Sequence, residues 1–437
     1  MSDSCISVSL CGDILLTKRI PQEYIENSEL TAFFNKHDCR FGNLETTIHN
    51  GEGIPELFPG GGYVYANSLS LRDLKAFGFN IFNTANNHSM DYGHSGLLAT
   101  LSYLDKEDLL HAGTGKNLNE ASKPAYLETK NGRVAVLGVT SSFHDSYAAG
   151  PQNQDMQGRP GVAPLKHRCL YELTPEKFDA LVTIGEVSGI NAHRNQAKKW
   201  GYATEEETMK FGTYEFKKST ENTVHTTPNV RDTERMLKYV RDARKQADLV
   251  IISIHSHHFR HNSHLGNSET AEYTRIFAQN CIDAGADIVA CHGPHVTRGI
   301  EIYNSGIIFH GLGNFIFEHE HMEALPEEYY WNYGKTREMC DGVGELMNIR
   351  NDGGKKGLAN VKEAWESIVV SMECSPEQMT VKLYPIDIMR STMVGLPCFS
   401  NKLDALNRIK DLSEPYGTPV FIDTNQMMAT INVKRHS

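Results

Sequence analysis

The sequence predicts a layered α/β domain with a ligand site at the carboxyl ends of its strands. Two observations predict it. Short apolar runs alternate with helical stretches, and the apolar runs repeatedly end in Asp, Glu, Asn or His. Ligands in open α/β sheets bind just beyond the strands' carboxyl ends, which is where those polar residues fall.

The first strand is read at residues 6–10, where Ile6, Val8 and Leu10 alternate with serines before Gly12-Asp13. The same grammar recurs at residues 40–45, ending in Asn43-Leu44-Glu45, and at residues 79–83, leading to Asn86-Asn87-His88. It returns at residues 133–139 and again at 249–254, which lead into His255. Helical periodicity fills the gaps at residues 68–77, 94–107, 231–246 and 269–284, the last with Ile276, Phe277, Cys281 and Ala284 on one stripe. Two stretches break the rhythm: residues 142–230 are polar and turn-rich, and residues 318–362 mix acidic residues and glycines with Tyr329, Tyr330, Trp331 and Tyr333. Connections of that length in a compact domain read as functional insertions. Apolar runs at 367–372 and 379–385 return to the core. The expected organisation is therefore one domain over residues 1–437, with lid insertions at 142–230 and 318–362 and C-terminal strands and a helix within 363–437.

Of the 437 residues, 40% are hydrophobic and 22% charged, which excludes collagen-like, coiled-coil and wholly disordered classes. Lys plus Arg number 43 against 54 acidic residues, and the net charge of −11 disfavours a grip on nucleic-acid phosphates or anionic lipid. The nine cysteines are odd in number and include no C-x-x-C, so neither a disulfide framework nor a zinc ribbon is expected. No signal-peptide pattern opens the sequence, and no apolar run approaches the ~20 residues of a membrane helix. The expectation is a cytoplasmic chain without a membrane anchor.

Five segments carry the chemistry: Gly12-Asp13, Asn43-Leu44-Glu45, Asn86-Asn87-His88, the run from His255 to His258, and His292-Gly293-Pro294-His295. Each alone reads as a polar turn or strand cap. Together, Asp, Glu, Asn and several His suit one or two divalent cations, with Mn, Fe or Zn favoured and Ca or Mg admissible. Glu45 is the carboxylate placed to bridge two ions, which in such a pair sit ~3.5–4 Å apart. His255 ends its strand directly; His257 lies on the same side by strand alternation and is read as substrate-binding, whereas His258, His261 and His264 read as solvated. Arg159 is the insertion cation singled out for an anionic substrate, because a guanidinium grips carboxylate or phosphate with two donors.

Several strings, in order from residue 5 to about 318, carry a family resemblance: Gly12-Asp13-Ile14, Gly42-Asn43-Leu44-Glu45, Asn86-Asn87-His88-Ser89-Met90-Asp91, Gly285-Ala286-Asp287, His292-Gly293-Pro294-His295 and Gly311-Leu312-Gly313-Asn314-Phe315. The sequence resembles the CapA family of bacterial poly-gamma-glutamate capsule-synthesis proteins, itself similar to calcineurin-like metallophosphoesterases. The resemblance implies a four-layered calcineurin-like metallophosphatase sandwich of two packed sheets flanked by helices. It also implies that Asp13, Glu45, Asn87, His255, His292 and His295 surround a metal centre, with His88 as general acid. Two departures stand out. Glu45 replaces the aspartate usual in the wider fold, and Asp13 is followed by Ile14 and Leu15 where those enzymes carry Asp-x-His, so one metal site loses an imidazole. Many relatives resemble membrane-anchored proteins; here Asp13 comes too early for a preceding hydrophobic segment.

The expected function is a metal-dependent hydrolase. A metal-bound hydroxide would attack a phosphoester or a gamma-glutamyl, peptide-like substrate while His88, oriented by Asp91, protonates the leaving group. One alternative is an amino-acid or peptide Cα epimerase using the pairs His295 with Asp13 and His88 with Asp91. Another is a non-enzymatic protein that binds or helps to synthesise an anionic polymer such as poly-gamma-glutamate.

Overall fold

The computed structural model describes residues 5–204, 207–261, 263–318 and 322–435. Among these residues, ten strands form one sheet and six form a second. In the larger sheet, Ile6–Leu15 pairs in parallel with Cys39–Leu44, which continues to Ile81–Asn83 and Leu110–Ala112. On its other side Ile6–Leu15 pairs antiparallel with Glu366–Cys374, followed by Gln378–Ile388, Met428–Lys434 and Phe421–Asp423. The second sheet runs Ala125–Thr129, Gly132–Thr140, Leu249–His255, Ile288–His292, Gly306–Phe309 and Ile300–Tyr303.

Alternation within the strands sorts the layers. Val134, Val136, Leu249, Ile251, Ile288 and Ala290 of the second sheet share one core with Val8, Leu10, Phe41, Ile368 and Val370 of the first. Their sequence neighbours Ala135, Leu137, Val250, Ile252 and Val289 face the other way, onto Met236 and Val240 of helix Val230–Arg244 and Phe277 and Cys281 of helix Glu272–Asp283. Strand Leu249–His255 is buried along its whole length, which is why it reads as a continuous apolar run. The outer face of the larger sheet, through Cys11, Ile14, Leu44 and Phe82, packs on helices Gln22–Asn27, Glu29–Phe34 and Ser70–Phe77. Phe34, Phe77, Phe79 and Phe315 meet there edge-on or tilted, except for the stacked pair Phe77 and Phe79, with ring centroids 4.8 to 5.9 Å apart. Such pairs add about 0.5–1.5 kcal/mol each beyond area burial. The α/β expectation of two packed sheets with helices outside thus matches the architecture.

The C-terminal region is integral to this core. Glu366–Cys374 lies beside the first strand, and helix Asp404–Ser413 sends Ala405, Leu406 and Ile409 into the core between the sheets. The first insertion begins later than the polar composition suggests, because Ala163 and Leu165 belong to the second core and Thr140 N–H donates to Ala163 O at 3.0 Å. What stands outside is a four-stranded sheet of Met209–Phe211, Tyr214–Lys218, His167–Leu173 and Thr223–Pro228, with helices Pro175–Ser188 and Ala192–Lys199. The second insertion carries helices Glu327–Trp331 and Val343–Arg350. Tyr329 and Tyr330 of that insertion are buried with Tyr63, Tyr92, Leu346 and Met347 in a core of their own. No helix among the described residues is long and apolar enough to cross a membrane.

Candidate metal centre

Asp13 reaches the site because its strand is irregular on both sides of it. Residue 12 must be glycine: a Cβ there would stand 2.0 Å from Gly313 O. The Asp13 N–H donates to that same carbonyl at 2.9 Å, fixing the strand against the loop before Asn314–Phe317. The carboxylate of Asp13 then accepts from Asn43 Nδ2 at 2.8 Å and from Gly293 N–H at 3.0 Å. Glu45 follows strand Cys39–Leu44 directly. Asn87 and His88 open the short turn Asn87–Met90, which is capped reciprocally by Asn86 and Ser89. His295 sits beyond strand Ile288–His292 at φ 58°, a left-handed backbone uncommon outside glycine.

These elements converge on one oxygen. Glu45 Oε1 lies 3.6 Å from His255 Nε2, 3.8 Å from His295 Nε2, 3.9 Å from His257 Nε2 and 4.0 Å from His88 Nε2. Asn87 Oδ1 joins them, 3.1 Å from His257 Nε2. Both carboxylate oxygens of Glu45 are buried, and neither accepts a hydrogen bond among the described residues. Burial, then the charges of Asp13 and Asp91, push the Glu45 carboxyl well above its ordinary range. Burial works the same way on Asp13, but the ring of His295 and the other imidazoles outweigh it and hold Asp13 below the carboxylate range. His255 is pushed down to about 3 by burial and His257 moves in the same direction, so both rings are neutral at physiological pH.

A buried carboxylate without a donor, facing the neutral rings of His255 and His257, is costly unless a cation completes it. The residues present therefore fit a divalent cation. Two groups have ligand atoms within 4.8 Å of one another, Asp13 with Glu45 and His255, and Glu45 with His257 and His295. They share Glu45, as a bridging carboxylate would be shared.

The supporting contacts set ring orientation. His88 Nδ1 lies 2.6 Å from Asp91 Oδ2, and Asp91 is itself held by the N–H groups of Gly60 and Val64, each at 2.8 Å. His295 Nδ1 lies 2.8 Å from Asn314 Oδ1. Asn314 Nδ2 donates to His295 O and Ala364 O, so its Oδ1 is the acceptor and His295 Nδ1 carries the proton. Nε2 of His295 is thereby left with its lone pair facing Glu45.

Asp13, Glu45, Asn87, His88, Asp91, His255 and His295 come together as the sequence suggested; two residues do not. His292 places Nε2 3.1 Å from Cys11 O and Nδ1 3.3 Å from Ser253 Oγ, with its ring edge-on to Phe41. As the last residue of its strand it still follows the pleat and points between the sheets, so it ties two strands together instead of reaching Glu45. Arg159 gives Nε and Nη2 to Ala148 O at 3.0 and 2.9 Å and pins its own loop. His257, read as substrate-binding, stands among the ligand atoms. Nothing in the sequence singles out Asn43 or Asn83 for a role, yet Asn83 Nδ2 donates to Asn43 Oδ1 at 2.8 Å while Asn43 positions Asp13. Their signal was the same as that of the ligands, polar side chains at the ends of apolar strands.

A cleft of about 410 Å³ opens onto this centre, lined by Asn87, His257, Gly60, Ser141 and the stacked pair Phe58 and His144. A larger cavity of about 930 Å³ lies between the inserted sheet and helix Glu272–Asp283 and includes none of the residues around Glu45.

Residues 7–319 match the family described as bacterial capsule synthesis protein PGA_cap. The chain is 31% identical over 428 residues to the uncharacterized protein y4sH of Sinorhizobium fredii, covering 94% of this chain and 90% of that protein. It is 25% identical over 331 residues to the PGA biosynthesis protein CapA of Bacillus subtilis, covering 72% of this chain and 64% of that protein. A capsule biosynthesis protein CapA of Bacillus anthracis is also 25% identical, over 332 residues that cover 72% of this chain and 60% of the relative. The family match spans residues 7–319 and includes every side chain around Glu45, and the chain belongs to the bacterial capsule synthesis protein family PGA_cap.

Proposed function

We propose that this chain is a metal-dependent hydrolase acting in capsule or poly-gamma-glutamate metabolism, on a phosphoester or a gamma-glutamyl, peptide-like bond. The observation that carries the reading is the pair His88 and Asp91 set beside the donorless carboxylate of Glu45, 2.6 Å and 4.0 Å from the two ring nitrogens of His88. Asp13, Glu45, Asn87, His255, His257 and His295 are the residues that would hold one or two divalent ions. A bound divalent ion supplies Lewis acidity at a substrate oxygen and acidifies water. The chain's own residues supply the rest. Asp91 accepts a hydrogen bond from His88 Nδ1–H, so Nε2 faces the reacting centre, and a protonated His88 gives its Nε2 proton to the leaving group. The capsule and PGA biosynthesis names of the Bacillus relatives support the metabolic setting.

A second reading, Cα epimerisation, rests on two ring–carboxylate pairs around the same centre: His88 Nδ1 lies 2.6 Å from Asp91 and His295 Nδ1 3.4 Å from Asp13, and both rings bring Nε2 within 4.0 Å of the same Glu45 oxygen.

Elemental analysis of protein purified without chelator, for the wild type and Glu45→Ala, followed by turnover of p-nitrophenyl phosphate, its diester and gamma-glutamyl-p-nitroanilide, tests the reading. Metal present in the wild type and lost in Glu45→Ala, with turnover on one substrate class, is the expected result. A filled centre with no turnover on either class overturns it in favour of polymer binding; solvent deuterium entering Cα without cleavage overturns it in favour of epimerisation.

A further inference from the structure

We propose that Arg350 and Tyr329, both on the second insertion, form a subsite for a carboxylate of the substrate above Gly62, beside the metal centre. The proposal deepens the hydrolytic reading and rests on it for turnover, but binding tests it independently.

Helix Val343–Arg350 packs through Val343, Leu346 and Met347 onto the tyrosine core. Arg350 comes one turn after Leu346 and Met347 and so leaves the helix on that same face. A Cβ placed on Gly62 would stand 3.6 Å from Tyr329 Oη and 3.9 Å from Arg350 Nη1. Both donor groups thus stand beside the position that a side chain on residue 62 would occupy. The phenol of Tyr329 is 5% exposed, and its hydroxyl is buried without a hydrogen-bond partner among the described residues. Arg350 pairs with no described carboxylate. A buried hydroxyl and a half-buried guanidinium beside it, with no acceptor for the hydroxyl among the described residues, suit an anion that accepts from both.

The space adjoins the reaction site through bare backbone. Gly60 lines the cleft with Asn87 and His257, and its carbonyl accepts from Asn87 Nδ2 at 2.6 Å. Nothing lies within 4 Å of a Cβ built on Gly61. Two residues span at most ~7 Å, the separation of a few bonds between a scissile group and a neighbouring carboxylate. A carboxylate fits better than a phosphate dianion. One cation serves the space, while Asp91, bound to Gly60 and Val64, and Glu328, which accepts from Tyr63 Oη at 2.8 Å, place negative charge on the adjoining chain.

The test uses the full chain, metal-loaded, as wild type, Arg350→Gln, Arg350→Lys, Tyr329→Phe and Gly62→Ala. Gly62→Ala fills the cradle without removing charge, and its Cβ meets only ordinary contacts. Calorimetric titration with glutarate should show binding to the wild type, weakened about tenfold or more in Arg350→Gln and Gly62→Ala and less in Arg350→Lys and Tyr329→Phe, at unchanged metal content and melting temperature. On gamma-glutamyl-p-nitroanilide the same loss should appear in KM with kcat held within about twofold, and the α-methyl ester should show no dependence on residue 350. Equal glutarate affinity in wild type and Arg350→Gln overturns the subsite even if the enzyme turns over. Binding lost in the variants with no turnover on any substrate leaves the subsite standing and removes the hydrolytic reading. Inorganic phosphate binding as tightly as glutarate, and lost in Arg350→Gln, overturns the carboxylate assignment.

Discussion

Asn314 accepts the Nδ1 proton of His295 at 2.8 Å, and the opposite nitrogen of that ring faces Glu45 at 3.8 Å. The amide of Asn314 is in turn oriented by two backbone carbonyls, those of His295 and Ala364. A residue that touches no ligand position therefore selects the tautomer of one that does. Replacing Asn314 with Leu should lower metal affinity by about 10- to 100-fold while the protein stays folded. Metal titration followed by calorimetry checks it, and unchanged affinity would show that the ring is held by other contacts.

Glu45 makes opposite predictions for the two states of the centre. Without metal, burial makes ionisation of Glu45 costly and no donor offsets it, so Glu45→Gln should stabilise chelator-treated protein by about 1–3 kcal/mol at neutral pH and raise its melting temperature. With metal, the wild type should be the more stable, because a ligand bound only by the folded state stabilises it. Melting both proteins with and without chelator reads the crossover.

His88→Asn should lower turnover by about 10²- to 10⁴-fold and leave metal content intact, since His88 is read as a proton donor and not as a ligand. Asp91→Asn should lower turnover less, through loss of ring orientation. Metal content measured beside kcat separates the roles; a His88→Asn protein that loses its metal assigns His88 to the ligand set.

Glu301 gives the fold an acid limit away from the centre. Burial opposes its ionisation, yet His310 at 3.0 Å and Arg275 at 2.8 and 2.9 Å hold its pKa down to about 2. A folded-state pKa below the unfolded one contributes stability that is present above about pH 4.5, the ordinary glutamate range, and lost as pH falls towards 2. Wild-type stability should therefore decline through that window. Glu301→Gln should flatten the decline and cost about 2–3 kcal/mol at pH 7, read from denaturant melts at several pH values.

Much of the centre was legible before folding. Asp13 and His255 lie at the carboxyl ends of their strands and Glu45, Asn87 and His295 follow theirs, and parallel strands bring their carboxyl ends to one edge. Period and polarity are local properties, so the strands, helices Val230–Arg244 and Glu272–Asp283, and the edge that carries the site could be read from the chain. The direction of a side chain is not local. His292 and His295 are equally plausible in sequence, but the first still obeys the strand's pleat and meets Cys11, while the second lies on a left-handed turn that swings its ring to Glu45. Arg159 spends its donors on Ala148, a choice made by the fold of its own loop. The start of the first insertion was misplaced because Ala163 and Leu165 are too few to make an apolar run and are recognised as core only by what they pack against. The space shared by Gly62, Tyr329 and Arg350 joins segments remote in sequence, and only tertiary packing, which sets distance without regard to chain separation, brings them together.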